Sequence, residues 1–413
     1  YGSNVVVVGA DLDVGAGELV GLIGANGSGK SSLAHLLLAL KQTALSTDDK
    51  APLYLGDENA LIELGTFAEC LHNHDLNEPL QFELGWQLDA QLELQDPLNK
   101  TGYTGDELKL DVSLKADPQH PPYVQKLSYT LYQQHQTSLA VTYVCDQQHQ
   151  RAISSEPYKL TPNSGQAWPI ADPDKFYRIS AHSRACFQNA EFLSDFADSA
   201  EAALSRIHYL GPLRVAPKRI YSWSGHTPDS AGQQGECAIA AILAACAHQR
   251  QIQCGPAQPS QPFDQGIGNA LKDLGLADSF TVKAVGENRR DYEALVRTQP
   301  GARTIKLGDA GFGVSQVLPI LVQAFYCPPH STLWIEQPEI HLHAQVQAEL
   351  ADVLISAIKA EENGSARQVQ LIVASHSEPL FNRLLRRVAE GVLTTDQIAL
   401  YFCSKHQGAS ELE

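Results

Sequence analysis

The 413-residue sequence contains no methionine. A chain of that length without one is improbable on composition alone, so contiguous strings carry more weight here than spacings between distant motifs. Long apolar runs are missing as well. The longest, Cys237–Ala247, is about half the roughly 20 residues a membrane helix needs, which argues against a membrane partner. No basic-then-apolar leader opens the sequence, so nothing points to secretion. The eight cysteines form no CxxC pair and keep no regular spacing. A zinc ribbon and a disulfide framework are therefore unsupported, and free thiols in a cytoplasmic protein are expected. No heptads are sustained, which excludes a long coiled coil, and no internal repeat is evident. Positive charge is scarce too: 30 Lys and Arg face 47 Asp and Glu, for a net charge of -17. Such a surface repels nucleic acid at long range, which confines any DNA contact to local basic patches. What is present, 43% hydrophobic and 19% charged residues, is the balance of a globular chain long enough for two or three modules.

Periodicity orders those modules. Asn4–Val8 and Glu18–Ile23 are short β-branched runs, the second leading through a glycine-rich string into an apolar helix from Ser32 to about Lys41. Phe82–Leu94, Leu108–Lys115 and Leu127–Val144 alternate apolar and polar residues between Pro, Asn and Gly turns, as in an antiparallel sheet. Ala190–Arg206 is a helix returning to a strand at Ile207–Leu210, and Glu236–Gln249 is a small-residue helix. Pro212–Gly235 is a loop carrying basic residues, and Cys254–Pro262 has the composition of a linker. From Thr304 onward strands alternate with helices: Leu333–Ile335, Gln345–Ala360, Gln370–Val373, Glu378–Glu390 and Ile398–Phe402. That order implies an α/β fold with a mainly parallel sheet, interrupted by an antiparallel β insertion. The expected division is residues 1–85, a β-rich insertion with helical return over 86–205, a basic loop and helical insertion over 206–300, and a C-terminal part over 301–413.

The strongest chemical signal is Gly24-Ala25-Asn26-Gly27-Ser28-Gly29-Lys30-Ser31, followed by Ser32. It fits G-x-x-x-x-G-K-S/T between a strand and a helix. Successive backbone N–H groups at Asn26, Gly27, Ser28 and Gly29 can form an anion nest, with the positive end of the helix behind it. Lys30 would reach the β- and γ-phosphates of a nucleotide, and the Ser31 hydroxyl would ligate Mg2+. The bland alternative is a glycine-rich strand-to-helix turn that binds nothing.

A second string, Leu333-Trp334-Ile335-Glu336-Gln337-Pro338-Glu339-Ile340-His341-Leu342-His343, is an apolar strand ending in a carboxylate, as P-loop NTPases use beside Mg2+. With the first string it resembles the ABC-class ATPases of the RecF, SMC and OLD-like group. It is most similar to the AAA-type bacterial ATPases carrying EQPEIHLHP, although Ala344 stands where that string ends in Pro. The resemblance implies an ABC-type ATPase head that binds ATP and Mg2+, with Ser31 and Glu336 as the metal residues. In the related pattern an Asp precedes a catalytic Glu; here Glu336 and Gln337 take those places. An amide orients water but does not accept its proton. Either Glu339 supplies the carboxylate, or turnover is slow, since losing a general base costs about 10²–10⁴ in rate. His341 and His343 look metal-like, but the structural reading weighs more.

The same resemblance assigns Asp309-Ala310-Gly311-Phe312-Gly313-Val314-Ser315-Gln316 as the counterpart of the ABC signature loop. Gly313, Ser315 and Gln316 would face nucleotide held by another subunit, which makes a homodimer or higher oligomer the implied assembly. Ala374-Ser375-His376-Ser377-Glu378 resembles the switch-histidine loop, with His376 at the γ-phosphate. LSGGQ is absent and the long gap between the first two strings does not suit a transporter. The resemblance leaves too little sequence after the last expected strand for an OLD-type nuclease domain, so any nuclease or other effector is expected to be a separate subunit, as in phage-defence systems of the Septu kind. The alternatives are an ATP-gated scaffold or sensor without significant turnover, and a RecF-like DNA-repair ATPase. Two basic groups are candidates for DNA: Arg214, Lys218 and Arg219 in the loop, and Arg383, Arg386 and Arg387 at helical spacing. A solvated face explains each equally or better. His72-Asn73-His74-Asp75 is taken as a turn.

Overall fold

Alternation of side chains decides the architecture of the middle of the chain. Leu108, Leu110, Val112 and Leu114 fall on one face of Gly102–Asp117 and are fully buried, as are Leu127, Tyr129 and Leu131 of His120–Gln133. A strand sends successive side chains to opposite faces, so this period of two buries one face only. The result is a five-stranded antiparallel sheet of Leu80–Gln95, Gly102–Asp117, His120–Gln133, Gln136–Cys145 and Arg151–Glu156, in that order. Helix Phe192–Ser205 lies against it, with Phe196 on Tyr129 (ring centroids 5.4 Å) and Ser199 accepting from the Trp86 indole at 2.9 Å.

The structure is a computed structural model and describes residues 6–7, 10–48, 51–117, 120–163, 169–254, 259–286, 290–406 and 409–413. Two units are distinguished: Tyr1–Val6 with His35–Ser205, which holds the antiparallel sheet, and Val7–Ala34 with Arg206–Glu413.

The second unit is built on a seven-stranded sheet ordered Val6–Val7, Ala409–Leu412, Ile398–His406, Leu19–Gly24, Gln370–Ser375, Thr332–Glu336 and Ile207–Leu210. The last five run parallel, and Ala409–Leu412 is antiparallel to its neighbour. Leu19, Val20, Leu333, Trp334, Ile335, Leu371, Ile372 and Val373 are all buried, so these strands read as continuous apolar runs rather than alternating ones. Helices Ala344–Ile358 and Glu378–Ala389 connect parallel strands, and helix Phe312–Tyr326 is buried on all sides from Val314 onward. That complete burial explains why it is apolar all round.

Several expectations need correction. Leu127–Val144 is two strands, because Gln134 and His135 adopt left-handed φ values of 50° and 63° and close a hairpin. Helix Phe312–Tyr326 takes in part of the signature-like string, so Gly313, Ser315 and Gln316 belong to its first turns rather than to a loop. Helix Phe263–Asp273 and a small antiparallel sheet of Tyr221–Ser222, Asp291–Arg297, Ser279–Ala284 and Ile305–Lys306 went unread. The linker-like Cys254–Pro262 ends in Gln261–Pro262, which pairs with Gln251–Ile252, and residues 255–258 lie outside the described residues. Of the strand expected at Asn4–Val8, Val6–Val7 is a strand and the other positions lie outside the described residues. The turn expected at His72–Asp75 is present, a short 3-10 element at His72–His74 with Asn73 and His74 at left-handed φ values of 51° and 56°.

Candidate functional site

Three adjacent parallel strands, Leu19–Gly24, Gln370–Ser375 and Thr332–Glu336, finish side by side at their carboxyl ends. Ligands of open α/β sheets bind in the crevice outside such ends. Three of the four strings singled out above leave the sheet at this edge, so residues more than 300 positions apart in sequence meet there.

After Leu19–Gly24 the chain turns through Ala25–Gly29 into helix Lys30–Leu45. Gly27 (φ 76°) and Gly29 (φ 98°) are left-handed, which only glycine adopts without strain. Space around Gly27 is open, whereas a Cβ on Gly24 would come within 2.4 Å of the Cys403 carbonyl oxygen on the neighbouring strand. The Lys30 ammonium folds back over the loop and donates to Gly24 O (2.7 Å), Ala25 O (3.0 Å) and Ser28 Oγ (3.3 Å). Burial lowers the Lys30 pKa, opposed by the negative ends of Cys403, Glu336 and Glu339.

The Ser31 hydroxyl donates to Glu336 Oε2 at 3.0 Å. Glu336 is buried, and burial raises its pKa; the Ser31 hydrogen bond and the Tyr209 hydroxyl work against that shift. Tyr209 stands close enough for its own pKa to be raised, by burial first and then by Glu336. Even so, Glu336 Oε1 takes no hydrogen bond of regular geometry. A buried carboxylate oxygen without a partner is costly in a folded chain. A hydroxyl and a carboxylate set against one another are the pair that P-loop proteins bring to Mg2+, so this orphaned oxygen and the open loop fit a Mg2+–nucleotide group.

Immediately after Glu336 the backbone becomes irregular. Gln337 has φ 43°, and its N–H donates to Ala374 O at 2.7 Å, tying the end of one strand to the next. Glu339 Oε1 accepts from the His376 backbone N–H at 2.9 Å, and its Oε2 is a second buried oxygen without a partner. His376 follows Gln370–Ser375, and its pKa is lowered by burial and then by Lys30. Ser377 caps helix Glu378–Ala389, accepting from Leu380 N, while its hydroxyl donates to Gln347 Oε1 at 2.7 Å. The structure thus brings together Lys30, Ser31, Glu336, Glu339 and His376.

The signature-like residues are placed differently. Ser315 and Gln316 are buried, and Ser315 Oγ donates back to Phe312 O at 2.9 Å. Gly311 and Phe312 are the exposed residues of that turn, with Phe312 5.9 Å from the His341 ring. His341 and His343 are exposed.

Neither basic group is a free positive patch. Arg214 is buried and donates to Glu336 O (3.1 Å) and Gln337 O (3.5 Å); burial lowers its pKa to about 10. It is a support of the Glu336 strand end, not a surface contact for DNA. Arg219 is exposed but paired with Asp309 at 2.6 Å, while Lys218 is exposed. Arg383 and Arg387 both bond Asp352 of the preceding helix, and Arg386 and Arg387 bond Glu390. Arg383 and Arg387 tie two helices together, and Arg386 pairs with the C-cap of its own helix. Tyr209, Arg214 and Cys403 are the site residues that sequence reasoning missed or misplaced. The string Tyr209–Arg214 was visible, but its direction relative to the sheet was not.

Comparison with known families agrees with this geometry in two separate stretches. Residues 7–59 match the family model described as "ABC transporter", over the strand, loop and helix of the Gly24–Ser31 string. Residues 257–381 match the model described as "AAA domain, putative AbiEii toxin, Type IV TA system", over the signature-like helix, Glu336 and His376. A comparison with curated proteins finds no match. Among solved structures, the chain is similar to an SMC head bound to the C-winged helix domain of ScpA (10% identity, TM-score 0.40, covering 97% of this chain and 90% of that one). It is also similar to the SMC head domain from Thermotoga maritima (11%, TM-score 0.39, covering 100% and 95%). A third is an SMC head with an extended coiled coil, bound to the C-terminal domain of ScpA derived from Pyrococcus furiosus (8%, TM-score 0.40, covering 96% and 90%). Likeness this distant says nothing of function. In fold, the chain is an α/β P-loop NTPase with an ABC-type head, its mainly parallel sheet accompanied by an antiparallel β insertion.

Proposed function

We propose that the chain binds Mg2+–ATP at Gly24–Ser32 and hydrolyses it slowly, and that nucleotide-dependent pairing of two copies controls a separate effector subunit. The observation that carries this is the convergence of Lys30, the Ser31–Glu336 pair, Glu339 and His376 on one sheet edge. When bound, the metal would neutralise phosphate charge and polarise the scissile bond. Ser31 and Glu336 would hold it, and the loop N–H groups with Lys30 would seat the phosphates. Lys30 must leave its three loop acceptors to do so, exchanging neutral oxygens for anionic ones. His376 is exposed, and partial desolvation and the nearby Lys30 lower its pKa, which suits it to contact the γ-phosphate as a hydrogen-bond partner rather than as a fixed cation.

Glu339 is the proton acceptor of this reading, because its Oε2 is uncommitted while Gln337 is an amide. Gln337 also supports a second reading, an ATP-gated scaffold or sensor that assembles without significant turnover. A nuclease as the effector, and a setting in phage defence or toxin–antitoxin control, rest on resemblance and on the wording of the matched AAA model. A RecF-like repair role has less support, because Arg214 is buried. The test is nucleotide binding, oligomeric state and phosphate release for the wild type and Lys30→Ala. Binding that drives self-association, with slow release lost in Lys30→Ala, is expected. ATP binding that leaves the oligomeric state unchanged would overturn the proposal, and binding with no phosphate release would select the sensor.

A further inference from the structure

The antiparallel insertion carries a cluster of side chains that the nucleotide site does not use. Asp117 ends strand Gly102–Asp117 and His120 begins strand His120–Gln133, and His149 comes from the turn between Gln136–Cys145 and Arg151–Glu156. His120 Nδ1 lies 2.9 Å from Asp117 Oδ2, His149 Nε2 lies 4.0 Å from the same oxygen, and the two imidazole rings stack with centroids 4.3 Å apart. One ligand atom from each residue falls within 4.8 Å of the others, and all three residues are at least partly exposed.

We propose that Asp117, His120 and His149 form a divalent transition-metal site, with zinc as the ion of matching chemistry. Two imidazoles and one carboxylate suit a borderline ion, whereas Mg2+ and Ca2+ prefer all-oxygen shells. Bond lengths of roughly 2.0–2.1 Å in a tetrahedron put ligand atoms about 3.3 Å apart, so closing this set takes side-chain shifts of about an ångström. Strand pairing holds both supports: Asp117 pairs with His120, after register shifts at Ser113–Leu114 and Lys115–Asp117, and Cys145 pairs with Arg151. The His149 turn is locked by Asp146 Oδ1, which accepts from Gln148 N (2.8 Å) and Gln150 N (2.9 Å), and holds His149 at φ 56°. His149 Nδ1 faces the buried Cys145 Sγ at 3.9 Å, which leaves Nε2 directed at Asp117. A partner on the far nitrogen is what fixes the orientation of a metal-binding imidazole. Three protein ligands leave a fourth position for water or for a donor from another molecule.

The test uses the full chain, stripped with chelator, kept reduced and titrated with zinc alone by calorimetry, in the absence of nucleotide. One zinc per chain is expected. Affinity should fall at least about 10–100-fold in His120→Ala, His149→Ala and Asp117→Asn, the range that even the outer partners of a metal site command. Far-ultraviolet circular dichroism should be unchanged. Should His120→Ala misfold, His149→Gln, in a turn outside the strands, decides the matter. Cobalt substitution supplies a second readout, a visible band lost in the same variants. No zinc binding, or binding undiminished in the histidine variants because the free cysteines hold the ion, would overturn the proposal.

Discussion

Replacing Glu336 by Gln should stabilise the ligand-free protein while abolishing its response to Mg2+–ATP. Glu336 is buried, its Oε1 takes no hydrogen bond of regular geometry, and burial raises its pKa above the ordinary 4.5. An acid with a raised folded-state pKa contributes no penalty below its unfolded value. As pH rises through the folded value, the unfolded chain releases the proton first and stability is lost. At neutral pH the carboxylate therefore costs folding free energy. Glutamine keeps the shape, retains an oxygen to accept from Ser31, and turns the orphaned position into a donor beside the Tyr209 hydroxyl. Relieving an unsatisfied buried group is worth about 1–3 kcal/mol. For a unit of this size that is a rise in Tm of about 2–12 °C. Differential scanning calorimetry measures it without nucleotide or metal, then with saturating Mg2+–ATP. Ligand stabilises only what binds it, by about 2.7 kcal/mol at 100 times Kd, so the wild type should overtake the variant in the second arm. The gap in the first arm should close as pH falls through the raised Glu336 pKa toward the unfolded value near 4.5. A ligand-free variant no more stable than the wild type, or a gap indifferent to pH, would refute the reasoning.

Three further outcomes are expected. Glu339→Gln should cut phosphate release by about 10²–10⁴ while leaving nucleotide affinity within a few-fold, as single-turnover kinetics and equilibrium binding would show; a rate within threefold of wild type removes Glu339 as the proton acceptor. Arg214→Met strands the carbonyls of Glu336 and Gln337 and should lower stability by about 1–3 kcal/mol, whereas Lys218→Ala should be nearly neutral; denaturant unfolding distinguishes them, and equal small effects would contradict the buried role. His35 and His376 both have pKa values lowered by burial from 6.5. The unfolded chain takes up their protons first, so stability should be full above about pH 6.5 and fall below it. His35→Gln should flatten that slope in thermal melts between pH 7.5 and 5.5, and an unchanged slope would remove His35 from the account.

How much of this was legible follows from what each kind of residue needs. Gly24–Ser31 was readable because its constraints are local: left-handed φ at Gly27 and Gly29, an open loop and a following helix all lie within one short string. The parallel strands were readable because burial on both faces leaves continuous apolar runs, as at Leu333–Ile335. Helix Phe263–Asp273 was not, since its apolar residues follow a proline-rich stretch that has the composition of a linker. The Gln134–His135 hairpin was missed for a related reason, because neither residue is a customary former of left-handed turns.

Charged residues were the least legible, and the reason is physical. Whether an arginine faces water or a carbonyl depends on tertiary neighbours that sequence spacing does not encode. Arg383, Arg386 and Arg387 keep helical spacing, and a stripe of that kind is equally consistent with binding an anion or with clamping a neighbouring helix. Asp352, one helix earlier, decides for the clamp by bonding two of the three. Arg214 makes the same point from the other direction. Its loop is rich in Gly, Pro and Ser, yet the strand at Ile207–Leu210 runs parallel to Thr332–Glu336 and carries Arg214 behind the end of that strand. The parallel order of the sheet therefore settles both questions: it gathers the carboxylates of Glu336 and Glu339 beside Lys30, and it removes from the surface an arginine that would otherwise suggest DNA. A chain with net charge -17 has few cations to place, and several of them are committed to holding the Glu336 strand end and the helices Ala344–Ile358 and Glu378–Ala389 in position.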